Sequence, residues 1–414
     1  MDIDITAWLG LALRWFHLIA GIAWIGSSFY FIWLDNALKP PADASDRAAG
    51  VGGEVWAVHG GGFYHKQKYS VAPSHMPADL HWFKWEAYFT WLSGIALLVL
   101  IYYAGAESYL IDRSRLDLAA WQAIALGLAV IIAGWLVYDG LCRSPIGRDN
   151  RLFAGVWFVL LTAAAWGLTQ VFGDRGAFIH VGAIIGTAMA ANVFRVIIPN
   201  QRRVVADLLA GRVPDARLGQ LAKQRSLHNN YMTLPVLLTM IASHYPQLVG
   251  HAWNWLLLAA LAAVAWLVRH FFNLRHRGRI DYRFPVAGAI GFIAIALFAS
   301  YRGPSASGGQ ALASADTVEV RRIVRERCQS CHSDTPSQPG FVSPPLGVMY
   351  DKLDEIIAQA PRIKAQAVDA RLMPPGNLTG MTEHERGVLG AWIDGQSQAD
   401  ARTRGSTGGP VPRG

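Results

Sequence analysis

The sequence predicts an all-α protein, an eight-span transmembrane helical bundle followed by a small soluble helical domain. Three observations lead there. Charged residues make up only 16% of the 414-residue chain against 52% apolar, with 16 Trp, a balance that belongs to membrane proteins. Apolar stretches near the roughly 20 residues that cross a bilayer as a helix recur along the first three quarters of the chain. Beyond the last of them the composition turns polar and keeps a helical pattern.

The spans are read at 7–34, 86–104, 119–138, 152–172, 176–199, 231–249, 252–269 and 284–300. The sixth is interrupted by Pro235 and His244 and its apolar run is short, and without it the C-terminus would change sides. Loops after the odd-numbered spans hold nineteen Lys and Arg, among them Lys39, Lys84, Arg148, Arg203, Arg225 and Arg269, whereas the alternate loops hold Arg113, Arg115 and Arg175. The positive-inside rule therefore puts the odd-numbered loops in the cytoplasm and both termini outside. Basic loops account for the formal charge of +8, so the lipid bilayer is the expected partner and nucleic acid is not. The N-terminus shows neither a basic leader nor a small-residue cleavage site, and the first span reads as retained. Residues 1–302 are thus the membrane domain, 303–315 a flexible small-residue linker, 316–398 a soluble domain and 399–414 a disordered tail.

Three cysteines are too few for a disulfide framework, and Cys142 stands alone at a helix end as a structural residue. The other two lie in Cys328-Gln329-Ser330-Cys331-His332, the attachment pattern of a c-type haem: two thiols add to porphyrin vinyl groups and the adjacent His offers iron a nitrogen. A disulfide or half a zinc site is the bland alternative, but no second pair of ligands exists and the His follows directly. A sixth ligand is expected in Arg371-Leu372-Met373-Pro374-Pro375, where prolines hold Met373; Met349 and Met381 lack that setting. The segment 382–394 carries Val388, Leu389, Trp392 and Ile393 on one face, as a helix packed on a haem edge would. The soluble part therefore reads as a class I-like cytochrome c domain, and such haems are attached on the side where charge bias alone places it.

Polar groups inside spans are functional candidates, because burying them in lipid is expensive. His17 in the first span, with Trp24 on the same face, is read either as a haem b ligand or as a hydrogen-bonded packing residue. His180, near the outer end of span five, is its candidate partner or an interfacial residue. A second group gathers at the cytoplasmic side: His59 and His65 in the first loop, His81 and Lys84 before span two, Asn192 and Arg195 late in span five, and His228 and Asn229 before span six. Singly, each reads as a helix cap or a solvated loop residue. Together they suit a planar, anionic, hydrogen-bonding substrate, with Arg or Lys for charge, Asn for paired donor and acceptor, and His for proton removal. No glycine-rich dinucleotide motif or phosphate-cradling loop occurs, which argues against nicotinamide and nucleotide chemistry.

The blocks around His17, His81 to Gly94, His180 to Asn200 and His228 to Pro246, followed by a haem c motif, resemble the bacterial membrane-bound urate oxidase family through nearly the whole chain. The resemblance implies oxidation of urate to 5-hydroxyisourate with water as the oxygen source, and electrons leaving through haem c to a soluble cytochrome or terminal oxidase. It also implies residence in the bacterial inner membrane, with both termini and the cytochrome domain periplasmic. It transfers no catalytic residue set. On residue chemistry His228, Asn229, Arg195, Asn192, His81 and Lys84 are the catalytic candidates. Cys328, Cys331, His332 and Met373 are expected to hold haem c, with His332 and Met373 on the iron. A b-type haem at His17, with His180, would relay electrons across a membrane about 30 Å thick. The His-to-Trp-Gly pattern of span one also resembles that of bacterial protoporphyrinogen oxidases, which supports a haem at His17. Two rival readings stand: a quinol or porphyrinogen dehydrogenase with a fused cytochrome, and a transporter with a redox-sensing cytochrome.

Overall fold

The computed structural model describes residues 5–69, 77, 79–301, 316–339, 341 and 343–406. The expected linker at 303–315 and residues 407–414 of the expected tail lie outside the described residues. Eight long helices build a bundle: α1 Ile5–Ala37, α2 Trp85–Tyr103, α3 Ala120–Arg143, α4 Asn150–Val171, α5 Asp174–Leu209, α6 Ala216–Ala242, α7 Asn254–His276 and α8 Arg283–Ser300. Seven are long and apolar enough to cross a membrane; α6 is the exception. Its 27 residues would reach about 40 Å, but its N-terminal half, from Arg217 to Asn230, is polar. It also starts well before the predicted 231–249 and stops at Ala242, leaving a separate turn, Pro246–Val249.

The polarity of α6 follows from its place. It packs between α5 and α7, and Arg225, His228, Asn229, Asn230, Thr233 and Thr239 on it are all buried. α8, by contrast, buries only Gly288 and turns apolar side chains outward. Contact between α5 and α6 is close at Gly182, where a Cβ would stand 2.2 Å from Thr239 Oγ1.

α5 is continuous through a π turn at Asn192–Ile197. Pro199 explains it: the ring cannot donate to the Arg195 carbonyl and crowds it, so the preceding turn widens.

The all-α expectation needs one correction in the first loop, where β1 Val51–His59 and β2 Gly62–Tyr69 form an antiparallel hairpin. Gly60 and Gly61 turn it with φ of 57° and 77°, the left-handed conformations that a tight hairpin turn requires. The Gly-Gly pair between β-branched and aromatic residues was the available signal.

In the C-terminal part, α9 Thr317–Arg327, α10 Leu353–Ala358 and α11 Glu383–Ser406 surround one apolar core. Val320, Ile323 and Val324 of α9 are buried with the four apolar residues foreseen on α11, Val388, Leu389, Trp392 and Ile393. Thr382 and Glu385 cap α11 reciprocally: the Thr382 N–H donates to Glu385 Oε2 at 2.7 Å and the Glu385 N–H to Thr382 Oγ1 at 3.2 Å. The helix runs to Ser406, past the expected boundary at 398.

This domain rests on one end of the bundle. Ala106–Tyr109 meets Pro375–Asn377, Pro246–Val249 meets Lys364–Asp369, and Arg175 Nη2 donates to Gln366 Oε1 at 3.4 Å. Those bundle segments follow α2, α6 and α4, so the domain lies on the face opposite the basic loops. Replacement of Gly182 by Ala is expected to destabilise the bundle by about 1–3 kcal/mol through overpacking, read as a lower unfolding temperature in detergent; an unchanged temperature would mean that α5 and α6 can part at no cost.

Candidate functional site

At the end of α9, Cys328 to His332 fold into a tight turn. The Cys328 N–H donates to Val324 O at 2.8 Å, and the His332 N–H to Cys328 O at 2.9 Å. Both thiols are free, and burial pushes Cys328 up to about 12 and Cys331 upward. His332 Nδ1–H donates to Val348 O at 2.9 Å, which places the lone pair on Nε2, and burial lowers its pKa, favouring the neutral, ligating imidazole.

Met373 is held at both ends of its backbone: its N–H donates to Gln366 O at 3.1 Å, and its carbonyl accepts from Arg386 Nη1 at 2.8 Å. Both Cys328 and Met373 border the domain core, whereas Met381 is fully part of it. The donor set Cys328, Cys331, His332 and Met373 therefore fits a c-type haem.

Inside the bundle a second site forms in the half nearer the basic loops. Three of the predicted residues meet there: Asn192, at the start of the π turn, donates from Nδ2 to Asn229 Oδ1 and to Tyr138 Oη, both at 2.8 Å. Because Tyr138 Oη accepts from Asn192, its own hydrogen goes to His228 Nδ1, 2.9 Å away. His228 Nε2–H then donates, at 3.4 Å, to Asn150 Oδ1 at the exposed start of α4. Phe153 stacks on the imidazole at 4.3 Å, and Cys142 Sγ lies 3.8 Å from Nδ1. Arg225 supplies the guanidinium, donating to Asn192 Oδ1 at 3.0 Å and to Asp139 Oδ1 at 2.8 Å. Arg225, His228 and Asn229 share one face of α6 because they are three and four residues apart.

The other predicted members stand apart. Arg195 is exposed and lies over the Trp135 ring at 5.4 Å. In a regular helix it would share the face of Asn192, but the π turn swings it off. His81 packs edge-on against Phe83 at 4.5 Å, and Lys84 covers Trp85 at 5.0 Å. His65 pairs with Glu54 at 2.6 Å on the hairpin.

Tyr138, Asp139, Asn150 and Arg225 had not been singled out. Their signal was the Arg225, His228, Asn229 spacing and a single acid, Asp139, just beyond a predicted span.

His180 is fully buried: Nδ1–H donates to Gly176 O at 2.7 Å, and Nε2 accepts from Tyr103 Oη at 3.2 Å. Its ring occupies room left by Gly127, where a Cβ would lie 2.5 Å from Nε2. His17 Nδ1 bonds Ser93 Oγ at 2.9 Å, tying α1 to α2. Both imidazoles have hydrogen-bonding partners within the helix packing, and no step is assigned to a b-type haem.

Removing the hydroxyl in Tyr138→Phe leaves Asn192 and His228 short of partners. A loss of about 1–3 kcal/mol is expected, against at most about 0.5 kcal/mol for Arg195→Gln on the surface; denaturant unfolding in detergent, compared for the two variants, checks the contrast.

A family model described as urate oxidase N-terminal matches residues 4–300, the whole of the bundle and nothing beyond it. No curated protein and no solved structure matches the chain. With its bundle matched from end to end, the chain belongs to the urate oxidase N-terminal family.

Proposed function

We propose that the chain is a membrane-bound urate oxidase of the dehydrogenase type: urate and water give 5-hydroxyisourate, two protons and two electrons. The observation that carries this reading is the joining of a urate oxidase family bundle to a domain with a haem c motif, docked on the face opposite the basic loops. In this reading the bilayer is a bacterial inner membrane crossed eight times, α6 included, and both termini and the C-terminal domain are periplasmic. Urate reaches the polar half of the bundle from the cytoplasm.

A proton leaving urate passes by way of Tyr138 Oη to His228 Nδ1, the phenol recovering its hydrogen, and the Nε2 proton passes out to water beside Asn150 at the surface. Such relay by a neutral imidazole suits a reaction that produces protons in a closed interior. Asn192, Asn229 and the Arg225–Asp139 pair hold that imidazole and phenol in place. Arg195, His81 and Lys84 receive no catalytic role, since none reaches this network. When bound, a c-type haem supplies one-electron acceptance and passage to a soluble cytochrome or terminal oxidase. Cys328 and Cys331 would anchor it, and His332 and Met373 would be its iron ligands.

The test is anaerobic. Urate added to the purified, oxidised protein in detergent is expected to bring up the reduced c-type band, with two equivalents reduced per urate consumed. If the band appears with dithionite and a quinol but never with urate, the substrate is wrong. His228→Gln is expected to lower the rate of reduction by about 10²-fold or more with haem content unchanged. Met373→Ala is expected to keep covalent haem while lowering its potential, which spectra and redox titration read directly.

A further inference from the structure

α6 carries a second buried polar cluster, on the side facing α7, and its hydrogen-bonding capacity is not fully used. Asn230, Arg269 and Asn273 are 0%, 3% and 4% exposed. Asn230 Oδ1 accepts from Arg269 Nε at 2.9 Å and from Asn273 Nδ2 at 3.0 Å. Those two bonds orient both amides. With its oxygen turned to two donors, Asn230 has Nδ2 on the other side; with its nitrogen engaged, Asn273 has Oδ1 left over. Asn230 Nδ2, Arg269 Nη2 and Asn273 Oδ1 are all buried and have no partner. The guanidinium lies over the Phe29 ring at 3.7 Å, and no carboxylate pairs with it among the described residues.

One orphaned polar atom is an imperfection of packing; three on adjoining side chains in an apolar bundle are a recognition pattern. Its chemistry is specific. Two donors, one on a permanent cation, ask for an anionic or carbonyl oxygen, and the acceptor beside them asks for an N–H. We propose that Asn230, Arg269 and Asn273 form the subsite that binds the imide edge of a planar oxopurine anion, the edge where a ring N–H stands beside a carbonyl. Urate presents such an edge, so the assignment rests on the urate reading and adds to it the residues that recognise the ring. The network around His228 is a poor receptor by comparison, because its amides already bond one another and the chain.

Equilibrium dialysis of radiolabelled urate against the full chain in detergent, with haem oxidised and oxygen excluded, tests this. Loss of a charged hydrogen bond in Arg269→Gln is expected to weaken binding by at least about tenfold and to raise KM more than it lowers kcat. Arg269→Lys, which keeps the charge but not the fork, should fall between and serves if Arg269→Gln does not fold. A ligand series supplies a readout that a structural role would not move. Among singly N-methylated urates, the one blocked at the N–H that Asn273 accepts should bind the parent chain poorly, and Asn273→Leu should erase that discrimination.

Parent-like affinity in Arg269→Gln and Asn273→Leu, with discrimination intact, would overturn the subsite and leave the urate reading standing. If the parent chain binds no urate, the urate reading falls, and xanthine and uracil, which share the imide edge, are dialysed instead. Binding of either that Arg269→Gln abolishes would uphold the subsite; no binding of either would overturn it.

Discussion

A polar group placed among apolar helices must find its partner inside the protein, since lipid offers none, and α6 concentrates that requirement. It carries Arg225, His228, Asn229, Asn230, Thr233 and Thr239 into the interior. Two of these satisfy themselves locally: Thr233 Oγ1 donates to Asn229 O at 2.9 Å and Thr239 Oγ1 to Val236 O at 2.7 Å. The others demand partners on neighbouring helices, and the neighbours supply them: Tyr138 and Asp139 from α3, Asn150 from α4, Asn192 from α5, Arg269 and Asn273 from α7. The bundle is arranged around one helix too polar to be stable in lipid alone. That is also why α6 fails the apolarity that marks the other seven.

The same requirement explains what the sequence disclosed. Apolar runs announce lipid-facing helices directly, so α1 to α5, α7 and α8 were placed to within a few residues at most of their ends. Asn192, His228 and Asn229 were legible because polar residues within or beside a span are conspicuous. Arg225 and Arg269 were equally conspicuous and misassigned: both were counted as loop charge in orienting the chain. α6 begins at Ala216 and α7 continues to His276, so each lies within a helix, buried at 4% and 3% exposure. The charge rule survives the loss of two residues from nineteen, whereas the reading of the site does not. Arg195 failed for the opposite reason, because its face depends on the π turn that precedes Pro199.

The turn at Cys328 to His332 is local: five consecutive residues at the end of α9 close on their own backbone bonds. Met373 is different. Its neighbouring prolines suggested rigidity, but the bonds to Gln366 and Arg386 that hold it come from elsewhere in the domain. Docking of this domain beside the loops after α2, α4 and α6 was implied by the alternation of basic and non-basic loops. A domain that follows the eighth helix of an alternating bundle comes out at that end, and the contacts place it there.

The two clusters that meet α6 share an arginine, asparagines and an aromatic neighbour, but only the first also holds a histidine and a carboxylate, His228 and Asp139. They differ further in how much of each side chain's bonding capacity the protein itself has used. Around His228, donors meet acceptors until almost nothing is left over: of Arg225, only Nε lacks a partner. Around Asn230 each of the three side chains keeps one buried atom free, and the free atoms form a donor, donor, acceptor set. A saturated network resists change and so holds helices and protons in place; an unsaturated one gains most when a ligand with the complementary edge arrives. The half of the bundle nearer the basic loops contains both, joined through the neighbouring residues Asn229 and Asn230 of α6.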